Sequence, residues 1–156
     1  MEDYVITEYM PQTKLTYLNY LEPWRCELPW SAALEGKKVL VIHPFEESIN
    51  EQYKKRKLLF PGSNILPEFK LITLKAVQTI AGEKDVRFTN WFEALSYMIE
   101  KALQIDFDIA IIGCGAYGFP LAASLKCAGK QAIHLGGVTQ IPVSYTHLTL
   151  PTKRIV

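Results

Sequence analysis

The sequence predicts an α/β fold: a Rossmann-like, mostly parallel sheet with helices on both faces. Short apolar, β-branched runs alternate along the chain with segments of helical periodicity, which is the pattern of a parallel sheet covered on both sides. A glycine-rich turn stands between one such run and a helix, as in nucleotide-binding sheets. Apolar residues make up 49% of the 156 residues, so the chain can build one full hydrophobic core.

The first half of the chain supplies two strands and a helix. Residues 37–42, "KKVLVI", form an apolar β-branched run that a proline closes shortly afterwards, so we predict a buried strand. Residues 46–59 predict a polar helix with an apolar stripe that includes Leu58. Residues 69–77, "FKLITLKAV", are rich in strand-forming residues and predict the second strand.

The second half supplies two helices and two further strands. Asn90 and Glu93 stand at the N-cap and N3 positions of a helix start. Strands are predicted over residues 108–112 and 131–135, with a helix over residues 118–128 between them. The helix that begins after Asn90 has an apolar stripe at helical spacing, formed by Trp91, Leu95, Met98, Ile99, Ala102 and Leu103.

We assign residues 1–141 to a single α/β domain, with an aromatic lead-in over residues 1–35. Residues 142–156, "PVSYTHLTLPTKRIV", resemble the translation of a sequencing-library transposon adapter, so we set them aside together with His147. This interpretation predicts that the tail is foreign to the fold and that the natural protein continues beyond it.

Charge and cysteine content narrow the function classes. Setting residues 142–156 aside removes two of the 17 basic residues and no acidic one, which leaves 15 basic against 16 acidic residues and a net charge of −1. Nucleic acid is therefore not an expected partner. Cys26, Cys114 and Cys127 form no C-x-x-C pair, which favours a reduced, cytoplasmic protein. The sequence contains no apolar run of the length that spans a membrane, although peripheral membrane association stays open.

The stretch "IIGCGAYGFPLA" carries the main functional signal. Gly113, Gly115 and Gly118 have the G-x-G-x-x-G spacing between a strand and a helix. Glycine permits a positive φ and close backbone approach, and a helix N-terminus attracts phosphate. We therefore predict nucleotide contact by the turn and by the end of the next strand, at Gly113, Gly115, Ala116, Tyr117, Gly118, Gly136 and Gly137.

A conventional NAD site needs an acidic residue at the end of the next strand, where it binds the ribose. That strand reads "QAIHLGG" and ends without Asp or Glu. NAD is therefore disfavoured, and another nucleotide is expected.

The residues "FDIAIIGCGAYGFPLAASLKCAGKQAIHLGG" resemble bacterial glycosyltransferases of the GT-D fold in their apolar strand, glycine turn, Leu-Ala helix start and second glycine-ended strand. Residues 29–140 are also similar to proteins of polysaccharide-synthesis clusters, which share "GKKVLVIHPF", "SINEQY" and "GAYGFPLA". The resemblance implies a cytoplasmic enzyme that moves a sugar from a nucleotide diphosphate donor to a glycan acceptor, with the glycine turn beside the donor. The family's metal-binding Asp-x-Glu pair follows the second strand of this unit, where this chain reads "GGVTQI", so no metal ligand is assigned and the cofactor stays open.

Other polar residues are expected at the same edge of the sheet. His43 follows the first strand and Gln140 follows the last, so we assign both as substrate-binding candidates. Glu46 and Glu47 are the nearest carboxylates, although acids at a helix start are also favoured by the helix dipole. The catalytic base is not assigned.

Three functions stay open at this point. A nucleotide-sugar-dependent glycosyltransferase of bacterial surface-polysaccharide synthesis is the leading hypothesis. The alternatives are a nucleotide-dependent oxidoreductase with an atypical ribose contact, and a non-catalytic α/β partner protein of a polysaccharide operon. Oligomeric state is not predicted.

Overall fold

A computed structural model describes residues 2–78 and 85–140 of the protein. The predicted α/β fold is confirmed: four parallel strands form one sheet in the order β2-β1-β3-β4. The predicted tail, residues 142–156, lies outside the described residues. The strands are β1 (Lys38–His43), β2 (Lys70–Lys75), β3 (Ile109–Ile112) and β4 (Gln131–His134).

Helices lie along both faces of the sheet, as predicted. The helices of the described residues are α1 (Glu2–Tyr9), α2 (Glu46–Lys54), α3 (Arg56–Leu59), α4 (Trp91–Leu103) and α5 (Gly118–Cys127). Of these, α2 packs on one face of the sheet, and α4 and α5 pack on the other. The helix predicted over residues 46–59 is broken at Lys55, and Leu58 is exposed rather than directed to the core. Four consecutive basic residues begin at Lys54, and like charges three or four positions apart disfavour a continuous helix there.

The start of α4 is capped as predicted. The Asn90 side chain accepts a hydrogen bond from the Glu93 N–H at 3.0 Å, and the Glu93 carboxylate accepts one from the Thr89 N–H at 2.8 Å. Met98 and Ala102 of the predicted stripe are fully buried, whereas Leu103 is exposed. Leu103 lies about 100° around the helix from Ala102, which takes it off the buried line.

Strand pleating divides the core into two clusters. Leu40 and Ile42 of β1 point towards α4 and α5, whereas Val39 and Val41 point towards α2. The α2 face is completed by the second half of the aromatic lead-in, which follows α1 and forms three short 3₁₀ helices. These helices are Leu18–Leu21, Pro23–Arg25 and Trp30–Leu34.

Side-chain hydrogen bonds order the lead-in and attach it to the rest of the domain. Trp30 Nε1 donates to the Leu21 carbonyl within the lead-in at 3.3 Å, and Ser31 Oγ donates to the Ile65 carbonyl outside it at 2.6 Å. Among the residues that the structure describes, no helix has the length and apolar character needed to cross a membrane.

The strand order places a topological switch point between β1 and β3. From β1 the chain moves to β2 on one side, and it then crosses back to β3 and continues outwards to β4. In open parallel sheets, ligands bind outside the carboxyl ends of the strands at such a point. We call this part of the molecule the carboxyl edge.

Candidate functional site

The structure brings His43 and the glycine turn together at the carboxyl edge. The Gly113 N–H donates to the Ile42 carbonyl at 2.9 Å, which extends the β1–β3 ladder by one residue. A methyl group added at Gly113 would stand 2.8 Å from His43 Cδ2 and would overlap Thr139 Oγ1. The inner end of the turn is therefore filled by side chains of the protein itself.

The third glycine is also closely packed. A side chain at Gly118 would overlap the imidazole of His134, which lies on the same sheet face as α5. This close contact brings the start of α5 against β4, the role that the last glycine has in dinucleotide-binding turns. His134 is thus a packing residue of this contact, consistent with its position inside the strand.

Gly115 differs from Gly113 and Gly118 because the space beside it is open. Its φ is +57°, and no atom of the described residues lies within 4 Å of the position that a Cβ would occupy. Gly115 and Ala116 are exposed and begin the 3₁₀ turn Gly115–Tyr117, which runs into α5. The first N–H groups of a helix have no partner within it and attract anions. The middle of the turn is therefore open to a ligand.

Two side chains of the turn belong to the core. Tyr117 is buried and stacks on Trp91, with ring centroids 4.9 Å apart and planes inclined by 8°. The Tyr117 side chain is therefore part of the core, and its backbone N–H donates to the Cys114 carbonyl at 3.3 Å. Burial raises the pKa of the Cys114 thiol to about 11, so this cysteine is not an activated nucleophile.

His43 is fully buried and is hydrogen-bonded on one side only. Its Nδ1 accepts from the Phe45 N–H at 3.0 Å, which assigns the ring proton to Nε2. Nε2 has no hydrogen-bond partner within residues 2–78 and 85–140. Burial lowers the pKa of His43 below its usual 6.5, which keeps the ring neutral near pH 7. His43 thus offers a buried N–H donor at the switch point.

The segment after β4 covers the site from the other side. It forms the 3₁₀ helix Gly136–Gln140, whose first residue has φ +55°. Thr139 Oγ1 donates to the Gly136 carbonyl at 2.5 Å, which holds Thr139 against Gly113. Gly137 is exposed, and Gln140 is the last residue of this helix. The contact between Thr139 and Gly113 was not predicted from the sequence, because it joins residues that are distant in the chain.

Carboxylates are sparse at the carboxyl edge. Glu46 and Glu47 occupy the first turn of α2, directly after the loop that follows β1. Within the described part of the chain, no three His, Cys, Asp or Glu side chains are grouped so that they could hold a metal ion.

A cavity of about 120 Å³ lies beside this edge, between the sheet and the lead-in. Its walls come from the lead-in, α2, the loop before β2 and the α2 face of the sheet. The sequence analysis did not predict it, although the aromatic and proline content of residues 1–35 was the available signal.

The chain matches no protein-family model, no curated protein and no solved structure.

Proposed function

We propose that the carboxyl edge binds the diphosphate of a nucleotide sugar and that the protein acts as a glycosyltransferase. The observation that carries the binding proposal is the contrast within the glycine turn. Gly113 and Gly118 are filled by side chains of the protein, whereas Gly115 is open and has the positive φ that favours glycine. Packing accounts for the two outer glycines and leaves the central one available for close approach by a ligand.

The anion is held by backbone and imidazole N–H groups in this proposal. The backbone of the exposed Gly115 and Ala116, at the start of the 3₁₀ turn, and the dipole of α5 supply partial positive charge. The neutral His43 ring, with its unpaired Nε2–H at the switch point, supplies one further donor. Hydrogen bonds to a charged phosphate are stronger than those between neutral groups, so a few such donors suffice to orient it.

The absence of an acidic residue at the end of β4 supports a nucleotide sugar over NAD. The residues there are His134, Leu135 and Gly136, and none of them can accept hydrogen bonds from a ribose as a carboxylate does. The transferase part of the proposal rests on the resemblance of the "GAYGFPLA" region to GT-D glycosyltransferases.

The test is Gly115→Val, measured by titration calorimetry with a uridine diphosphate sugar and, separately, with NAD. We expect the unmodified chain to bind the nucleotide sugar more tightly than NAD. The valine side chain occupies the open space, so binding should weaken at least about tenfold through loss of a charged hydrogen bond.

Gly36→Val is the matched control. Gly36 has φ +70°, also has no described atom within 4 Å of a Cβ, and lies before β1 at the opposite edge of the sheet. Both variants should lose about 1–2 kcal/mol of stability from left-handed strain. Only Gly115→Val should lose nucleotide binding. Tight binding of NAD without any response to nucleotide sugars would contradict the proposal, and silence towards both would favour the non-catalytic partner protein.

A further inference from the structure

The cavity on the α2 face is lined mainly by apolar side chains from several parts of the chain and is partly open to solvent. The sheet contributes Val41, Ile111 and Leu135, and the lead-in contributes Trp24 and Trp30. Phe60 and Val138 continue the wall on either side. The cavity is thus a feature of the assembled domain rather than of one loop.

The polar side chains in this wall are already engaged. Ser31 Oγ donates to the Ile65 carbonyl, and Thr139 Oγ1 donates to the Gly136 carbonyl. The Tyr53 hydroxyl accepts from the Phe69 N–H at 2.7 Å and lies the same distance from the Phe69 carbonyl. Gln52, which also borders the cavity, is not without a partner. A buried water needs two to four polar partners, so this cavity does not suit water.

The size of the cavity defines what it can accept. An apolar cavity of about 150 Å³ in another protein stays dry and binds benzene, a ligand of six carbons. At about 120 Å³, the cavity described here is slightly smaller. Filling it recovers the van der Waals contacts that the wall atoms lack when it is empty.

We propose that this cavity binds a short hydrocarbon group of about five or six carbons. Thr139 borders the cavity and also packs against Gly113, so the cavity reaches the carboxyl edge. A polar end of the ligand would lie there. The proposal does not depend on nucleotide binding, because none of its apolar walls belongs to the glycine turn.

The test uses straight-chain alcohols from butanol to octanol, whose neutral hydroxyl is not attracted to the anion site. Binding is measured by titration calorimetry and by the fluorescence of Trp24 and Trp30, which line the cavity. Affinity should rise about fourfold for each added methylene. The rise should stop at about pentanol or hexanol, when the cavity is full.

Val138→Phe fills the cavity, and Val86→Phe is the matched control because Val86 is 97% exposed. The first variant should lose alcohol binding at least about tenfold, and the second should keep it. Ile65→Phe, at another point of the wall, gives the same test if Val138→Phe does not fold. Affinity that is independent of chain length, that keeps rising from hexanol to octanol, or that survives both filling variants would overturn the proposal. Loss of nucleotide binding in Gly115→Val leaves these results unchanged, so the two proposals fail separately.

Discussion

On one face of the sheet, the regular helices α4 and α5 pack against Leu40, Ile42 and Ile112, all of which are fully buried. On the other face, among residues 2–78 and 85–140, α2 is the one regular helix that lies against the sheet, and short 3₁₀ helices of the lead-in complete the cover. We call these the helical face and the lead-in face. The cavity lies on the lead-in face, and His43 and Gly113 fall on the same side by strand alternation.

The difference between the two faces is in how completely the covering segments fill the space over the sheet. Regular helices place side chains at fixed spacing and can fill a sheet face without gaps. Irregular segments cover the same area but leave space, since their side chains do not interlock row by row. We therefore expect the helical face to contribute more to the free energy of unfolding, and the space left on the lead-in face is the cavity.

The largest expected effect tests the packing of the helical face. Leu121 of α5 is fully buried in that core, so Leu121→Ala should lower the free energy of unfolding by about 2–5 kcal/mol. Leu58→Ala makes the same change at an 80% exposed position and should stay within about 0.5 kcal/mol of the unmodified protein. Urea unfolding followed by circular dichroism measures both. A loss below about 1 kcal/mol for Leu121→Ala would contradict the dense packing inferred for this face.

A smaller change in the free energy of unfolding should show where the lead-in face is loosely packed. Val41 borders the cavity, whereas Val39, two residues earlier on the same side of β1, is fully buried away from it. Val41→Ile adds one methyl group to empty space and should be neutral or should gain up to about 0.8 kcal/mol. Val39→Ile makes the same change in filled space and should cost about 1–3 kcal/mol.

Thermal and urea unfolding of the two isoleucine variants give the comparison directly. Equal losses in both would mean that the cavity closes around Val41 in solution. Equal gains would mean that the looseness extends over the whole lead-in face.

Much of the fold follows from local patterns in the sequence. The apolar runs fix β1 and β3 to within a residue or two, and the Asn90 cap fixes the start of α4. The strand order could not be predicted, because it depends on contacts between segments that are far apart in the chain. The break at Lys55 was missed because apolar periodicity takes no account of repulsion between neighbouring lysines and arginines.

The candidate site was predictable in its glycine spacing and not in its surroundings. The pattern around Gly113, Gly115 and Gly118 is local, and the structure places it at the carboxyl edge as expected. The structure shows that Thr139 lies beside Gly113 and that His134 lies beside Gly118. These are tertiary contacts, which a local pattern does not reveal. They distinguish Gly115, which is open to a ligand, from the two glycines that packing explains.

The smallest expected effect tests how well the lead-in face excludes water at His43. The pKa of His43 is lowered by burial, so between that lowered value and 6.5 the unfolded chain binds more protons than the folded one. The contribution of His43 to the free energy of unfolding is then fully present above pH 6.5. It falls as the pH decreases towards the folded pKa, by at most about 1.4 kcal/mol per pH unit.

His43→Asn removes this titration but keeps an acceptor for the Phe45 N–H. Urea unfolding between pH 7.5 and pH 5 should therefore show a shallower loss of stability in His43→Asn, because all other titratable groups are common to both proteins and cancel in the difference. Identical slopes would mean that water reaches His43 in the folded protein, so the lead-in face would be loosely packed at the carboxyl edge as well as at the cavity.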